Sequence, residues 1–169
     1  MHLVKGGEKM KFLGLKRILL HGEEKVVIPE SEVWIARTTS NDMRISYKPY
    51  LDNFNSTFIY EDTVYPPGLE IKHVASSAEA MVWAKVFSSD NTTVVTLKKG
   101  ESISVPRDEV WLIAKIPFTR INSQVDKLGG SYINMNGYKT LYPGAKVYSD
   151  ADNTIFVAFR TKRLGGVNV

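Results

Sequence analysis

The chain has 169 residues, of which 43% are hydrophobic and 24% charged, and its formal net charge is +4. These values are ordinary for a folded protein, and the length accommodates one domain or two small ones. The chain contains no Cys, which excludes disulfides, thiolate catalysis and Cys-ligated zinc. The three His, at positions 2, 21 and 73, are too scattered for a His-rich metal centre. We therefore expect no metal site and no other cofactor.

The chain opens with the basic segment "MHLVKGGEKMKFLGLKR", which lacks the continuous apolar core of a signal peptide. No apolar run approaches the roughly 20 residues that span a bilayer. The basic residues are spread along the chain, whereas nucleic-acid binders concentrate them on one face. We predict an N-terminal arm over residues 1–15, a C-terminal tail over 164–169, and neither nucleic acid nor membrane as a partner.

The first predicted strands follow the arm. "GEEKVVIP" is an alternating run that ends at a Pro turn, and "EVWIA" is a continuous apolar run typical of a central strand with both faces covered. "VYPPGLEIKH" is a turn followed by another alternating strand, and "AMVWAKVF" closes the segment. Taken alone, "SSAEAMVWAKVF" also fits a helix. We assign residues 16–89 to a first β module.

The same order of elements occurs a second time. "GESISVP", "EVWLIAKI", "LYPGAKVYSD" and "TIFVAFR" repeat the earlier strands and turns, and Trp111 follows Trp34 by the same 77 positions that separate Pro106 from Pro29. The plainly strand-like "TIFVAFR" corresponds to "AMVWAKVF", which favours a strand there too. We assign residues 90–163 to a second module.

The predicted fold class is therefore all-β, with two tandem homologous antiparallel β-sandwich or jelly-roll-like modules. Each module has about seven or eight short strands. A domain this small buries a limited share of its surface, and no disulfide or metal supports it. Each module is therefore expected to need support from the other module or from another copy of the chain, and we predict a homo-oligomer.

Carboxylates precede the two Trp residues of the repeat. Glu32 and Glu109, each beside an aromatic residue, would suit a sugar-cleaving pair. However, each module carries one of them at the same place, so the two are not expected to meet in one site. We predict a turn or strand-entry role for both Glu residues, and core positions for Trp34 and Trp111 because both lie in apolar runs.

His73 follows the Pro-Pro-Gly turn in a pattern that touches the second cupin motif. It lies five residues after Gly68 rather than three, and the first cupin motif is absent. We therefore expect a strand residue and not a metal ligand. No nucleophile, phosphate-loop or zinc-protease motif occurs, so we predict that the protein is not an enzyme.

The two modules differ most between their central strands and their Pro-Gly turns. The first module is rich in Tyr, Phe, Asn and Asp over residues 44–65, a composition that suits protein or carbohydrate contacts. The candidate contact residues are Tyr47, Tyr50, Phe54 and Tyr60. The alternative, that these aromatic side chains complete the core of their own module, stays open.

The segment "ESISVPRDEVWLIAKI", with its twin that starts at Glu24, resembles small β modules of bacteriophage virion proteins, in which a Gly turn, a short strand, "VP" and an "EVW"-like strand recur. Such modules occur in capsid decoration proteins, head fibres and tail proteins. The resemblance implies jelly-roll-type folding, symmetric oligomers that are often trimers, and no enzymatic activity.

The sequence thus predicts a non-enzymatic structural protein of a phage or virus particle. It would be made in the host cytoplasm and located in the virion, decorating a capsid or forming part of a fibre or tail. Its partners would be itself, with a trimer favoured, and other virion proteins. The alternative is a carbohydrate-binding β-sandwich module that uses the four aromatic residues to bind a glycan.

Overall fold

The computed structural model describes residues 10–38, 43–46, 50, 55–57, 63–74, 79–115, 123–124, 132–133, 138–149 and 154–162. The protein is all-β, as predicted, and its strands pair antiparallel throughout these ranges. None of the residues described belongs to a helix that could cross a membrane.

The chain divides into two compact units, and each unit holds eight of the strands in these ranges. The first unit contains β1 (Phe12–His21), β2 (Lys25–Val27), β3 (Glu32–Thr38), β4 (Met43–Ser46), β5 (Asn55–Thr57), β6 (Thr63–Tyr65), β7 (Glu70–His73) and β8 (Glu79–Ser88). The second contains β9 (Thr92–Leu97), β10 (Ser102–Ser104), β11 (Glu109–Lys115), β12 (Ser123–Gln124), β13 (Tyr132–Ile133), β14 (Tyr138–Leu141), β15 (Lys146–Tyr148) and β16 (Thr154–Lys162).

The strands of the two units pair in the same order. In the first unit one sheet has the order β1-β8-β3-β6 and the other β2-β7-β4-β5. In the second unit β9-β16-β11-β14 corresponds to the first of these sheets, while the pairs β10-β15 and β12-β13 correspond to the two halves of the second. The tandem repeat found in the sequence is therefore a repeat of the fold, and each unit is a β-sandwich module.

Register agrees between the modules residue by residue. Trp34 of β3 lies opposite Tyr65 of β6, and Trp111 of β11 lies opposite Leu141 of β14. The central position predicted for these two strands is confirmed, because β3 lies between β8 and β6 and β11 lies between β16 and β14. The predicted burial of both faces holds at the start of β3, whereas Arg37 near its end is exposed.

The Pro-Gly turns are also equivalent. The amide of Gly68 donates to the carbonyl of Ile28 at 2.8 Å, and the amide of Gly144 donates to that of Val105 at 3.0 Å. Both Gly residues have φ near +80°, in the left-handed region that residues with a Cβ rarely adopt. This requirement explains why a Gly occurs at the same place in both modules.

"AMVWAKVF" forms most of β8, so its assignment as a strand is confirmed. Strand β1 begins at Phe12 and pairs with β8, which places residues 12–15 of the predicted arm within a sheet. The register shifts between Phe12 and Gly14, and this bulge interrupts the alternation by which a strand is recognised in a sequence. Residues 1–9 and the predicted tail lie outside the described residues.

The core of the second module lies between its sheets. Apolar side chains from five strands and one turn meet there, and all of them are buried: Val95, Leu97, Val105, Trp111, Ile113, Leu141, Val147, Phe156 and Ala158. In β16 the six residues from Thr154 to Phe159 are buried without alternation, so both faces of this strand are covered.

Candidate functional site

The two Glu residues that precede the Trp residues are hydrogen-bond acceptors within the modules. The indole Nε1 of Trp34 donates to Oε2 of Glu32 at 2.6 Å, and that of Trp111 donates to Oε2 of Glu109 at 2.7 Å. Residues i and i+2 of a strand share a face, which brings each pair together. Both Trp side chains are buried, as predicted. The carboxylates satisfy buried indole groups, which is a structural role.

Each carboxylate also meets a cation, but from a different strand. Nζ of Lys16 on β1 lies 2.8 and 2.7 Å from the two carboxylate oxygens of Glu32. In the second module Nη1 of Arg160 on β16 lies 3.7 Å from Oε1 of Glu109. Burial by itself would raise the pKa of Glu32, but the hydrogen bonds from Lys16 and Trp34 and the charge of Lys16 outweigh it and hold that pKa below its ordinary value.

His73 ends strand β7 and is fully buried. Its ring Nδ1–H donates to the carbonyl of Gly22 at 2.7 Å, and its backbone amide donates to the carbonyl of Glu24 at 3.0 Å. Both bonds hold the turn that connects β1 to β2. Within the described ranges no three His, Asp or Glu residues are grouped so that they could hold a metal ion.

Of the four predicted contact residues, Tyr50 alone is among the described residues; Tyr47, Phe54 and Tyr60 lie outside them. Tyr50 is half-buried, and its hydroxyl donates to the carbonyl of Pro67 at 2.6 Å. Burial, together with the nearby charge of Glu30, raises the pKa of Tyr50 to about 12. The hydroxyl of Tyr50 is therefore used within the module. The predicted contact role of the aromatic group stays a prediction.

An exposed face of the first sheet was not found by the sequence reasoning. Arg17, Trp83 and Arg37 lie side by side across β1, β8 and β3, and Leu15, Lys85 and Ile35 form the next row. Together with Lys16 and Ala84, these six residues line a cavity of about 710 Å³. We call the six residues the basic face. Alternation in "GLKRILLH" is a signal that would have placed Leu15, Arg17 and Leu19 on one side of a strand.

Strand β1 also presents apolar side chains to solvent. It lies at the edge of its sheet as far as the described residues extend. Four of its apolar side chains, which we call the β1 stripe, are between 42% and 74% exposed: Phe12, Leu13, Leu15 and Leu19. In the second module β9 takes the place of β1, and Thr92 and Thr96 occupy the positions equivalent to Leu15 and Leu19. The fold therefore does not require Leu at these places.

Comparison with known proteins leaves the family open. No protein-family model and no curated protein matches the chain. Among solved structures it is similar to the regulatory domain of Toxoplasma gondii PKA, determined with cAMP, at 10% sequence identity and a TM-score of 0.28. That similarity covers 89% of this chain and 78% of the other.

Proposed function

We propose that the protein is a non-enzymatic structural component of a phage or virus particle, where it decorates a capsid or forms part of a fibre or tail through protein–protein contacts. The observation that carries the proposal is the β1 stripe. Apolar side chains on an edge strand are a recognised site of association, because the strand offers both unpaired backbone groups and apolar area to a partner.

Comparison with the second module supports a binding role for the β1 stripe. Thr92 and Thr96 of β9 show that a strand in this position folds into the equivalent sheet of the second module with polar residues at these places. Exposed Leu side chains at the same positions of β1 contribute little to the module itself, since they remain in water. Selection for a partner surface accounts for them.

The assignment to a virus particle rests on the resemblance of the two "VP…EVW" segments to virion β modules. Tandem duplication fits this assignment, because it lets one chain occupy two similar places in a symmetric array. The Glu–Trp pairs also fit a structural protein, since their carboxylates are occupied by indole groups and cations. We propose the chain itself, as a trimer, and other virion proteins as the partners.

Two measurements test the proposal. Light scattering behind a sizing column, over a concentration series, is expected to give a discrete closed oligomer. Mass spectrometry of purified particles of the virus that encodes the chain is expected to detect the protein at a fixed copy number. Absence from the particles would refute the virion role, and a monomer that also fails to bind particles would refute the assembly role.

A matched pair of variants tests the β1 stripe. Leu13→Lys/Leu19→Lys places two charges on the stripe and leaves the basic face intact. Val27→Lys places a charge on another exposed apolar side chain of the same module. We expect the first variant to lose association and the second to keep it, with both retaining the far-ultraviolet circular dichroism of the parent protein. Equal association by both variants would exclude the stripe as the contact.

A further inference from the structure

We infer that the basic face binds an acidic segment of a partner protein, in which one or two carboxylates are flanked by apolar side chains. The inference rests on the proposed role in protein–protein assembly and names the chemistry of the partner. Three cations, Arg17, Arg37 and Lys85, surround the half-exposed ring of Trp83. None of the three forms an ion pair with any residue that the structure describes.

The spacing of the cations suits separate carboxylates. Neighbouring strands lie about 4.8 Å apart, so Arg17 and Arg37, with β8 between them, start roughly 10 Å apart. Lys85 is two residues along β8 from Trp83, or roughly 7 Å. The two Arg residues and Lys85 therefore form a triangle over the cavity. One carboxylate can form ion pairs with two of these side chains, and a second carboxylate can form one with the third.

The side chain of Arg17 is oriented for such a contact before a partner binds. Its guanidinium carbon lies 5.4 Å from the centre of the Trp83 ring. A guanidinium that interacts with an aromatic ring keeps N–H donors in its plane for a carboxylate. This contact also limits the freedom of the Arg17 side chain before binding, which lowers the entropy lost when a partner is bound.

The repeat again provides an internal comparison. In the second module Val157 of β16 pairs with residues of both neighbouring strands, β9 and β11, as Trp83 of β8 pairs with residues of β1 and β3 in the first. The row Arg17, Trp83, Arg37 is replaced there by the apolar row Val94, Val157, Ala114. The sandwich thus folds without these cations and without the exposed Trp. In the second module this row is covered, since Val157 and Ala114 are buried, whereas in the first module the row of Arg17, Trp83 and Arg37 is open to solvent and accessible to a ligand.

The borders of the basic face favour a short acidic peptide over a nucleic acid. Leu15 and Ile35 flank Lys85, and Leu19 and Met81 form the row beyond Arg17 and Trp83. One row further, at the end of β1, a carboxylate occurs: Oε1 of Glu79 lies 2.8 Å from Nδ1 of His21. A phosphate backbone needs a continuous basic track, which these apolar and acidic borders interrupt.

The electrostatic part of the inference has a direct optical test. Trp34 and Trp111 are buried, so an ionic quencher reaches Trp83 in preference to them. Relative to the quenching of free N-acetyltryptophanamide by each ion, we expect iodide to quench its fluorescence more strongly than caesium, and Arg17→Gln/Arg37→Gln to remove this difference. The control Lys98→Gln/Lys99→Gln removes two exposed cations of the second module and is expected to leave the difference unchanged. Equal quenching of the parent protein by the two ions, after the same scaling, would overturn the inference.

The partner chemistry is tested with the full chain and a random-peptide display library. We expect enrichment of peptides with Asp or Glu between apolar residues, and we expect Arg17→Gln/Arg37→Gln to weaken their binding about tenfold or more, the usual loss with a charge-assisted hydrogen bond. The Lys98→Gln/Lys99→Gln control should bind them as the parent does. No enrichment of acidic peptides, unchanged binding by the Arg variant, or tighter binding of oligothymidylate or inorganic phosphate would each overturn the inference.

The two proposals fail in different ways. If the peptides do not bind but the Arg17→Gln/Arg37→Gln variant still enters particles and forms the oligomer, the basic face is not the contact and the assembly role stands. If the parent protein binds acidic peptides but is absent from particles, the anionic site stands and the virion role is refuted.

Discussion

Replacement of Glu32 by Ala tests whether the buried Glu–Trp pair stabilises the first module. The substitution leaves the indole N–H of Trp34 without its acceptor in a site where the ring is 1% exposed. An unsatisfied buried donor costs about 1–3 kcal/mol. The ion pair with Lys16 contributes less, up to about 1 kcal/mol, because the Lys side chain is 40% exposed and screened by water. We expect the free energy of unfolding of this module to fall by about 2–3 kcal/mol.

Urea unfolding followed by circular dichroism measures the loss, and hydrogen exchange with mass spectrometry separates the two modules. The control is Glu23→Ala, which removes a carboxylate that is 75% exposed and lies 3.8 Å from the Lys72 ammonium. A pair of this kind contributes about 0.5 kcal/mol or less. If Glu32→Ala destabilises the module no more than Glu23→Ala does, the indole hydrogen bond does not stabilise the core as we infer.

Three further predictions concern pH, a turn and the aromatic region. Because the pKa of Glu32 is lowered on folding, the stabilisation by its carboxylate is fully present above about pH 4.5 and is lost as the pH falls through the lowered pKa. Glu32→Gln should therefore reduce the dependence of the urea midpoint on acid pH, and an unchanged dependence would contradict this. Gly144→Ala should lower the free energy of unfolding by about 1–2 kcal/mol through backbone strain alone, since φ is +80° and no atom lies within 4 Å of an added Cβ. Thermal unfolding measures the loss, and an unaltered melting temperature would argue against it. Tyr50→Phe should lower the free energy of unfolding by about 1 kcal/mol, because it removes the hydrogen bond to the carbonyl of Pro67. It should also abolish a tyrosine ionisation near pH 12 in absorbance titration, and retention of that ionisation would show that it belongs to another residue.

Several features of the fold could be predicted from the sequence because their causes are local or repeated. Alternation with period two places strands, and Gly68 and Gly144 are needed where the backbone turns through positive φ. The matching positions of Trp34 and Trp111 established the repeat. The repeat then decided between strand and helix for "AMVWAKVF", where the local pattern fitted both.

Other features depend on which residues the sheets bring together. Lys16 reaches Glu32 from an edge strand, whereas Arg160 reaches Glu109 from a neighbouring central strand, and no spacing along the chain predicts either contact. The bulge at Gly14 hides the start of β1 for a related reason, since a register shift is defined only relative to the strand that pairs with it.

The sequence by itself determined most of the strands, the Pro-Gly turns and the duplication, because backbone preference and side-chain period are properties of short segments. Only the tertiary structure decided which sheet face remains open to solvent. Trp83 and Val157 occupy the same register in the two modules, yet one is half-exposed among cations and the other is buried. Burial depends on what lies across the face, and that is a property of the folded chain rather than of any segment in it.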